Sequence, residues 1–229
     1  MPWVHGRSID YHERINWAII WVAISPDDEA FVYREWDPSP REWINLTISE
    51  EIVNRNGMQR FIVNLIDPLA RKIQTNSGIS TIEDLNTIFH RLRIEGLSSG
   101  TYWEPFDTKG MKGRDEIKKR LKNSLRVERP FNNHIKEDGR TFILPTLWIS
   151  KECSETAKSL KQWRHQDWAT NRLVHVKDKK ESTIKKFSHF CTALEGLFKD
   201  IRFKARKDKP YRNEQRDNHG MRYFQDRRR

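Results

Sequence analysis

Two aspartates stand at the ends of strand-like stretches. Asp10 closes a short alternating stretch, and Asp67 closes a continuous apolar one, Arg60-Phe61-Ile62-Val63-Asn64-Leu65-Ile66. If the two stretches are parallel, adjacent strands, both carboxylates emerge at the carboxyl edge of the sheet, where α/β sheets form their ligand crevices. Carboxylates brought that close repel each other, and a divalent cation relieves the repulsion. Hard cations such as Mg²⁺ or Mn²⁺ prefer oxygen ligands and keep several waters. Two such ions ~3.5–4 Å apart activate a water and stabilise the leaving oxygen in phosphodiester hydrolysis. The same residues also admit a plainer reading, in which Asp10 begins a loop and Asp67, before Pro68, forms a turn.

The elements that must position these acids are legible in outline. Strands are expected over 3–9, 16–24 and 31–36, the latter two joined by the turn Ser25-Pro26-Asp27-Asp28-Glu29 as an antiparallel hairpin. Ser49 followed by Glu50 and Glu51 reads as an N-cap with acids in the first turn, starting a helix to about Asn56 that Gly57 ends. The strand over 60–66 is apolar on both faces, as strands in the parallel part of a sheet usually are. A helix follows over 81–93, with Ile82, Leu85, Ile88, Phe89 and Leu92 at helical spacing. Residues 96–142 form a Gly-, Lys- and Arg-rich insertion with one helix over 115–125. Beyond it come a strand over 144–149, a helix capped by Ser150, a short apolar stretch at 173–176 and a last helix over 183–198. The order describes a mixed α/β sheet covered by helices on both faces, with three antiparallel N-terminal strands extended by parallel ones. That is the order of an RNase H-like domain, a resemblance carried by topology.

Composition narrows the function classes. The chain has 229 residues, and its longest apolar run, Trp17 to Ile24, is eight residues against the ~20 needed to cross a bilayer. No apolar signal segment is visible, and two cysteines, Cys153 and Cys191, build neither a disulfide framework nor a zinc knuckle. They read as buried small hydrophobes in a reduced cytosolic protein. The formal net charge is +11, of which +7 falls within residues 199–229, a basic tail suited to polyanions or simply solvated. A core domain over 1–198 precedes it. Within the insertion, Lys109, Lys112, Arg114, Lys118, Lys119, Arg120 and Lys122 form a flank able to track a phosphate backbone, and Gly110 and Gly113 would permit close backbone approach. A solvated helix face is the alternative. Glu35 reads as a surface ion-pair partner, Glu50 and Glu51 as helix-dipole acids, and Trp103 and Trp148 as core.

Taken together, several segments resemble the nuclease domain of the tailed-bacteriophage terminase large subunit. They are Ser8-Ile9-Asp10-Tyr11-His12, Asn16-Trp17-Ala18-Ile19, Val32-Tyr33-Arg34-Glu35-Trp36, Asp67-Pro68-Leu69-Ala70 with Gly78-Ile79-Ser80-Thr81, the basic run from Lys109 to Leu125, and Lys185-Lys186-Phe187-Ser188-His189-Phe190-Cys191-Thr192-Ala193-Leu194. The resemblance implies a metal-dependent endonuclease that hydrolyses double-stranded DNA during genome packaging, with Asp10 and Asp67 as metal ligands. It further implies a terminase ATPase domain, a small terminase subunit and a portal as partners, no membrane, and action in the cytoplasm of an infected host. In its final helix that family usually reads Asp-Asp-His-x-x-Asp-Ala-Leu; here Phe187, Ser188 and Thr192 stand where the acids would be. His189 then completes the site, with Ser188 or Glu195 assisting; a helical turn puts Ser188, Thr192 and Glu195 on one face with His189 beside it. A neutral imidazole suits Mn²⁺ better than Mg²⁺. The missing acid keeps two alternatives open: a non-catalytic nucleic-acid-binding or portal-docking module, or another RNase H-like enzyme such as a resolvase or transposase. No G-x-x-x-x-G-K-[ST] loop occurs, so the chain is expected to be a nuclease module without its motor.

Overall fold

The computed structural model describes residues 3–57, 59–75, 77–97, 102–110, 112–123, 134–135, 141–142, 146–163, 188–200 and 202–203. The expected apolar stretch at 173–176, the first turn of the last helix and nearly all of the basic tail lie outside them. Three consecutive strands, β1 (Val4–Asp10), β2 (Ala18–Ile24) and β3 (Ala30–Trp36), form an antiparallel meander. Helix α1 (Asn45–Asn56) leads into β4 (Phe61–Ile66), a 3₁₀ turn (Pro68–Arg71) and α2 (Thr81–Ile94). Then come β5 (Glu104–Pro105), α3 (Lys112–Asn123), a two-stranded pair β6 (His134–Ile135) and β7 (Thr141–Phe142), β8 (Leu147–Ile149), α4 (Ser154–Gln162) and α5 (His189–Lys199). The main sheet is ordered β5-β4-β1-β2-β3-β8, with β4 parallel to β1, β5 parallel to β4 and β8 parallel to β3.

Alternation along β2 explains how one strand serves two cores. Ala18, Ile20, Val22 and Ile24 join Val63, Leu65, Phe190, Leu194 and Leu197 on the face covered by α5, with α3 and α4 beside it. Ile19 and Trp21 join Ile9, Ile48, Ile52, Leu85 and Phe89 on the face covered by α1 and α2. Both sides of β2 are thus dry, which is why its eight-residue apolar run needs no membrane. Helix α2 begins where the sequence signals it, with a capping box in which Ser80 Oγ accepts from Glu83 N–H while the Glu83 carboxylate accepts from Ser80 N–H.

Other boundaries moved. Helix α1 starts at Asn45 rather than after Ser49, because Thr47 Oγ1 accepts from Ile44 N–H at the helix entry; Ser49 lies inside and donates back to Asn45 O. Helix α4 starts at Ser154, its first N–H groups held by the Glu35 carboxylate, which accepts from Glu155 and Thr156 at 2.8 Å each. Glu35 is therefore a helix cap, and among the described residues it forms no ion pair. Trp148, expected in the core, is 43% exposed on edge strand β8, stacked on Phe31, whereas Trp103 is buried.

Helix α3 crosses α5 at very close range. A Cβ on Gly113 would sit 2.1 Å from the Glu195 carbonyl oxygen, so this glycine serves helix packing, not approach to a phosphate. Gly113→Ala should force the two helix backbones apart and cost about 3 kcal/mol, read as a lower urea midpoint at unchanged slope. A midpoint equal to wild type would show that the crossing gives way freely.

Candidate metal centre

Strand pairing places the two aspartates. In the parallel β1–β4 ladder Ile9 lies opposite Ile66, and Asp67 N–H continues the ladder to Ile9 O at 2.9 Å. Asp10 and Asp67 are therefore neighbours at one carboxyl edge. Parity puts them on the same face: Asp10 pairs with Ala18, and Val63 and Leu65 precede Asp67 at alternate positions, all on the α5 side.

Asp10 is 5% exposed. Asp67 caps the 3₁₀ turn through Oδ1, which accepts from Leu69 N–H at 2.7 Å. The turn-forming and edge-acid readings of this residue thus hold together in one side chain. Burial pushes the Asp67 carboxyl above the usual carboxylate range and the neighbouring Asp10 adds to it; the Leu69 hydrogen bond and His12 offset part of the rise.

Helix α5 brings the third group. It runs down the sheet face antiparallel to β1, with His189 at Asp10 and Leu197 against Gly6, where a Cβ would meet the Leu197 side chain at 2.7 Å. His189 Nδ1 lies 2.7 Å from Asp10 Oδ2. An ionised carboxylate only accepts, so Nδ1 carries the proton and a neutral His189 keeps its lone pair on Nε2. The ring of His12 packs edge-on to that of His189, with centroids 5.1 Å apart. Asp10, His12 and His189 each offer a ligand atom, all within 4.8 Å of one another. That separation suits one divalent ion after small side-chain rotations, since metal–nitrogen and metal–oxygen bonds are ~2.0–2.2 Å. That donor set, one carboxylate with two imidazoles, fits a divalent cation; Asp67 is not in the group, though its strand position puts it beside Asp10 at the same edge.

The remaining expected site residues are placed as follows. Ser188 sits at the N-cap of α5, where its carbonyl accepts from Thr192 N–H and Oγ1. Glu195 lies about two turns further on and pairs with Arg114 Nε at 2.7 Å; it is not among the group around Asp10. The expected shared face of Ser188, Thr192 and Glu195 thus delivers no carboxylate to the notch. Arg114, expected to meet DNA, is occupied by Glu195 and packs over Trp163. Arg120 is buried and donates to the Asp28 and Thr146 carbonyls, which anchors α3 at the opposite, amino edge of the sheet. Lys109, Lys112 and Lys118 are exposed, but α3 runs from the side of β5 toward that amino edge, away from the aspartates.

His12 was missed in the sequence. The signal was its spacing, since residues i and i+2 of an extended chain point to the same side, and His12 follows Asp10 by two. Cys153 and Cys191 are buried, and burial pushes both thiols up to about 12, which leaves them no thiolate chemistry at neutral pH. A cavity of about 520 Å³ opens beside His12, lined by Tyr11, Trp17, Trp43, Asn45, Gln74 and Asp84 among others. Among the described residues no helix is long and apolar enough to cross a membrane.

No protein-family model matches the chain, and no curated protein matches its sequence. Solved structures do match its shape. The large terminase of a thermophilic bacteriophage superposes with a TM-score of 0.55 at 12% identity, over 89% of this chain and 41% of that one. The same protein in complex with ATP-γ-S gives a TM-score of 0.56. The P22 large terminase nuclease domain gives 0.54 at 11% identity, over 89% of this chain and 85% of that one. The chain spans about two fifths of the length of the thermophilic phage's large terminase. Its fold is RNase H-like, that of the terminase nuclease domains.

Proposed function

We propose that this chain is a metal-dependent endonuclease that hydrolyses phosphodiester bonds of double-stranded DNA, acting as the nuclease module of a phage packaging terminase in the host cytoplasm. The observation that carries the proposal is the convergence of Asp10, Asp67, His12 and His189 at one sheet edge of an RNase H-like fold. Asp10, Asp67 and the two imidazoles would hold the cation, Mg²⁺ or Mn²⁺, with Ser188 at the margin. When bound, a divalent ion supplies Lewis-acid polarisation of the phosphate and lowers the pKa of a water. The protein's own part is to fix the donors: Asp10 orients His189 through Nδ1, and Leu69 N–H holds the Asp67 carboxylate at the edge. An ATPase partner domain, a small terminase subunit and a portal belong to the same proposal. The exposed Lys109, Lys112 and Lys118, together with the basic tail, are its candidates for phosphate contact, through charge alone; Arg114 serves α5 instead.

Asp67→Asn separates the two roles of that residue. Asparagine still caps the turn through its amide oxygen, so the fold should survive while nicking of supercoiled plasmid in Mn²⁺ falls by about tenfold or more. Chelation of the metal should stop nicking altogether. Nicking that persists in chelator would end the proposal. Preferential cleavage of branched over linear duplex DNA would replace the terminase role with that of a resolvase. A second reading, a binding or docking module without catalysis, draws on the pairing of Glu195 with Arg114, which leaves α5 without an acid at the notch among the described residues. It predicts no stoichiometric Mn²⁺ uptake in a calorimetric titration.

A further inference from the structure

The donor set at the notch departs from an all-oxygen shell in a way that has consequences for the ion it takes. We infer that the notch selects a borderline transition ion, of the Mn²⁺, Co²⁺ and Zn²⁺ class, over Mg²⁺, and that the imidazoles of His12 and His189 impose the choice. This rests on the reading of the notch as a cation site given above. Mg²⁺ demands near-octahedral oxygen coordination and gives up water reluctantly. Imidazole nitrogen favours the later first-row ions, with affinity rising along the series toward Cu²⁺.

The His189 ring is hydrogen-bonded to Asp10, and the backbone that carries His12 is tied down. The His12 carbonyl accepts from the Trp17 indole N–H at 2.9 Å, and the adjoining Glu13 pairs with Lys72 on the 3₁₀ turn at 2.9 Å, so the loop after β1 is tied at both ends. The edge-on packing of the His12 and His189 rings, 83° between planes, keeps both nitrogen sets near Asp10. Oxygen donors are scarce by comparison. One Asp67 oxygen already accepts from Leu69 N–H, and Glu195 is paired with Arg114. Among the described residues, the ligand atoms that lie together thus come from two imidazoles and one carboxylate.

The test is calorimetric titration of the metal-free full chain with Mg²⁺, Mn²⁺, Co²⁺ and Zn²⁺, together with the visible absorption of bound Co²⁺. One Co²⁺ or Mn²⁺ per chain should bind about tenfold or more tightly than Mg²⁺. His12→Gln and His189→Gln should each weaken Co²⁺ binding about tenfold or more and alter its absorption, with a smaller loss for Mg²⁺. His12→Asp should move the preference back toward Mg²⁺, a gain that a misfolded variant would not give. Mg²⁺ affinity equal to that of Mn²⁺ and Co²⁺, or His12→Gln with wild-type Co²⁺ binding, would overturn the inference. Asp10-dependent nicking that runs equally well in Mg²⁺ also overturns it but leaves the nuclease proposal standing. Tight, His12-dependent Co²⁺ uptake without nicking in any metal supports the selectivity and removes the nuclease.

Discussion

Asp10→Asn should reduce plasmid nicking by about 100-fold or more without unfolding the chain. The substitution is isosteric, and the amide oxygen can still accept from His189 Nδ1, so the 2.7 Å contact that docks the first turn of α5 on β1 has a replacement. What disappears is negative charge. At 5% exposure Asp10 is the most buried acid of the notch and the one that both His189 and Asp67 face. A neutral amide there removes the anionic ligand shared by any ion in the site. Circular dichroism and the urea midpoint check the fold, and a time course of supercoiled plasmid in Mn²⁺ checks the activity. A folded Asp10→Asn chain that nicks at the wild-type rate would show that cleavage occurs elsewhere.

The second large effect concerns stability. Arg7 is wholly buried on the opposite sheet face, where Nε donates to Asn64 Oδ1 and Nη1 to Asn56 Oδ1, each at 2.7 Å. Its guanidinium carbon lies 4.7 Å from the Phe61 ring centroid, 4.9 Å from that of Trp103 and 5.1 Å from that of Phe89. No carboxylate pairs with it among the described residues, and burial pushes it down to about 9, still cationic at neutral pH. Three aromatic faces and two amide oxygens stand in for the missing counter-ion. Arg7→Leu should cost about 3–5 kcal/mol, because Asn56 Oδ1 keeps only the Trp21 indole N–H and the ring cage loses its cation. Urea denaturation measures the loss. A variant as stable as wild type would show that the rings and amides gain nothing net from the charge.

Much of the framework was readable in advance because it rests on local rules. The apolar run of β2, the one that stops at Asp67-Pro68, and the helical spacing of Ile82, Leu85, Ile88, Phe89 and Leu92 each lie within a few residues of chain. They identified the strands and helices and showed that the two aspartates end strands. Boundaries went astray where the deciding contact came from afar. The Glu35 carboxylate that starts α4 is more than a hundred residues away in sequence. Trp148 looked like core by composition, yet its strand lies at the edge of the sheet, where one side remains open.

The sequence by itself determined that the chain alternates strand and helix, that its excess positive charge sits mainly in its last thirty residues, and that Asp10 and Asp67 punctuate strands. Tertiary structure decided what those acids meet. An irregularity in the β1–β4 ladder, between His5 and Gly6, advances the pairing from Phe61 to Val63 and so brings Ile66, hence Asp67, level with the end of β1. The crossing of α3 over α5 at Gly113 ties Glu195 to Arg114, and the packing of α5 against Gly6 sets His189 on Asp10 beside His12. The physical reason is the range of the forces. Periodicity and caps act along a few residues, whereas strand register and helix docking are settled by packing between segments far apart in the chain.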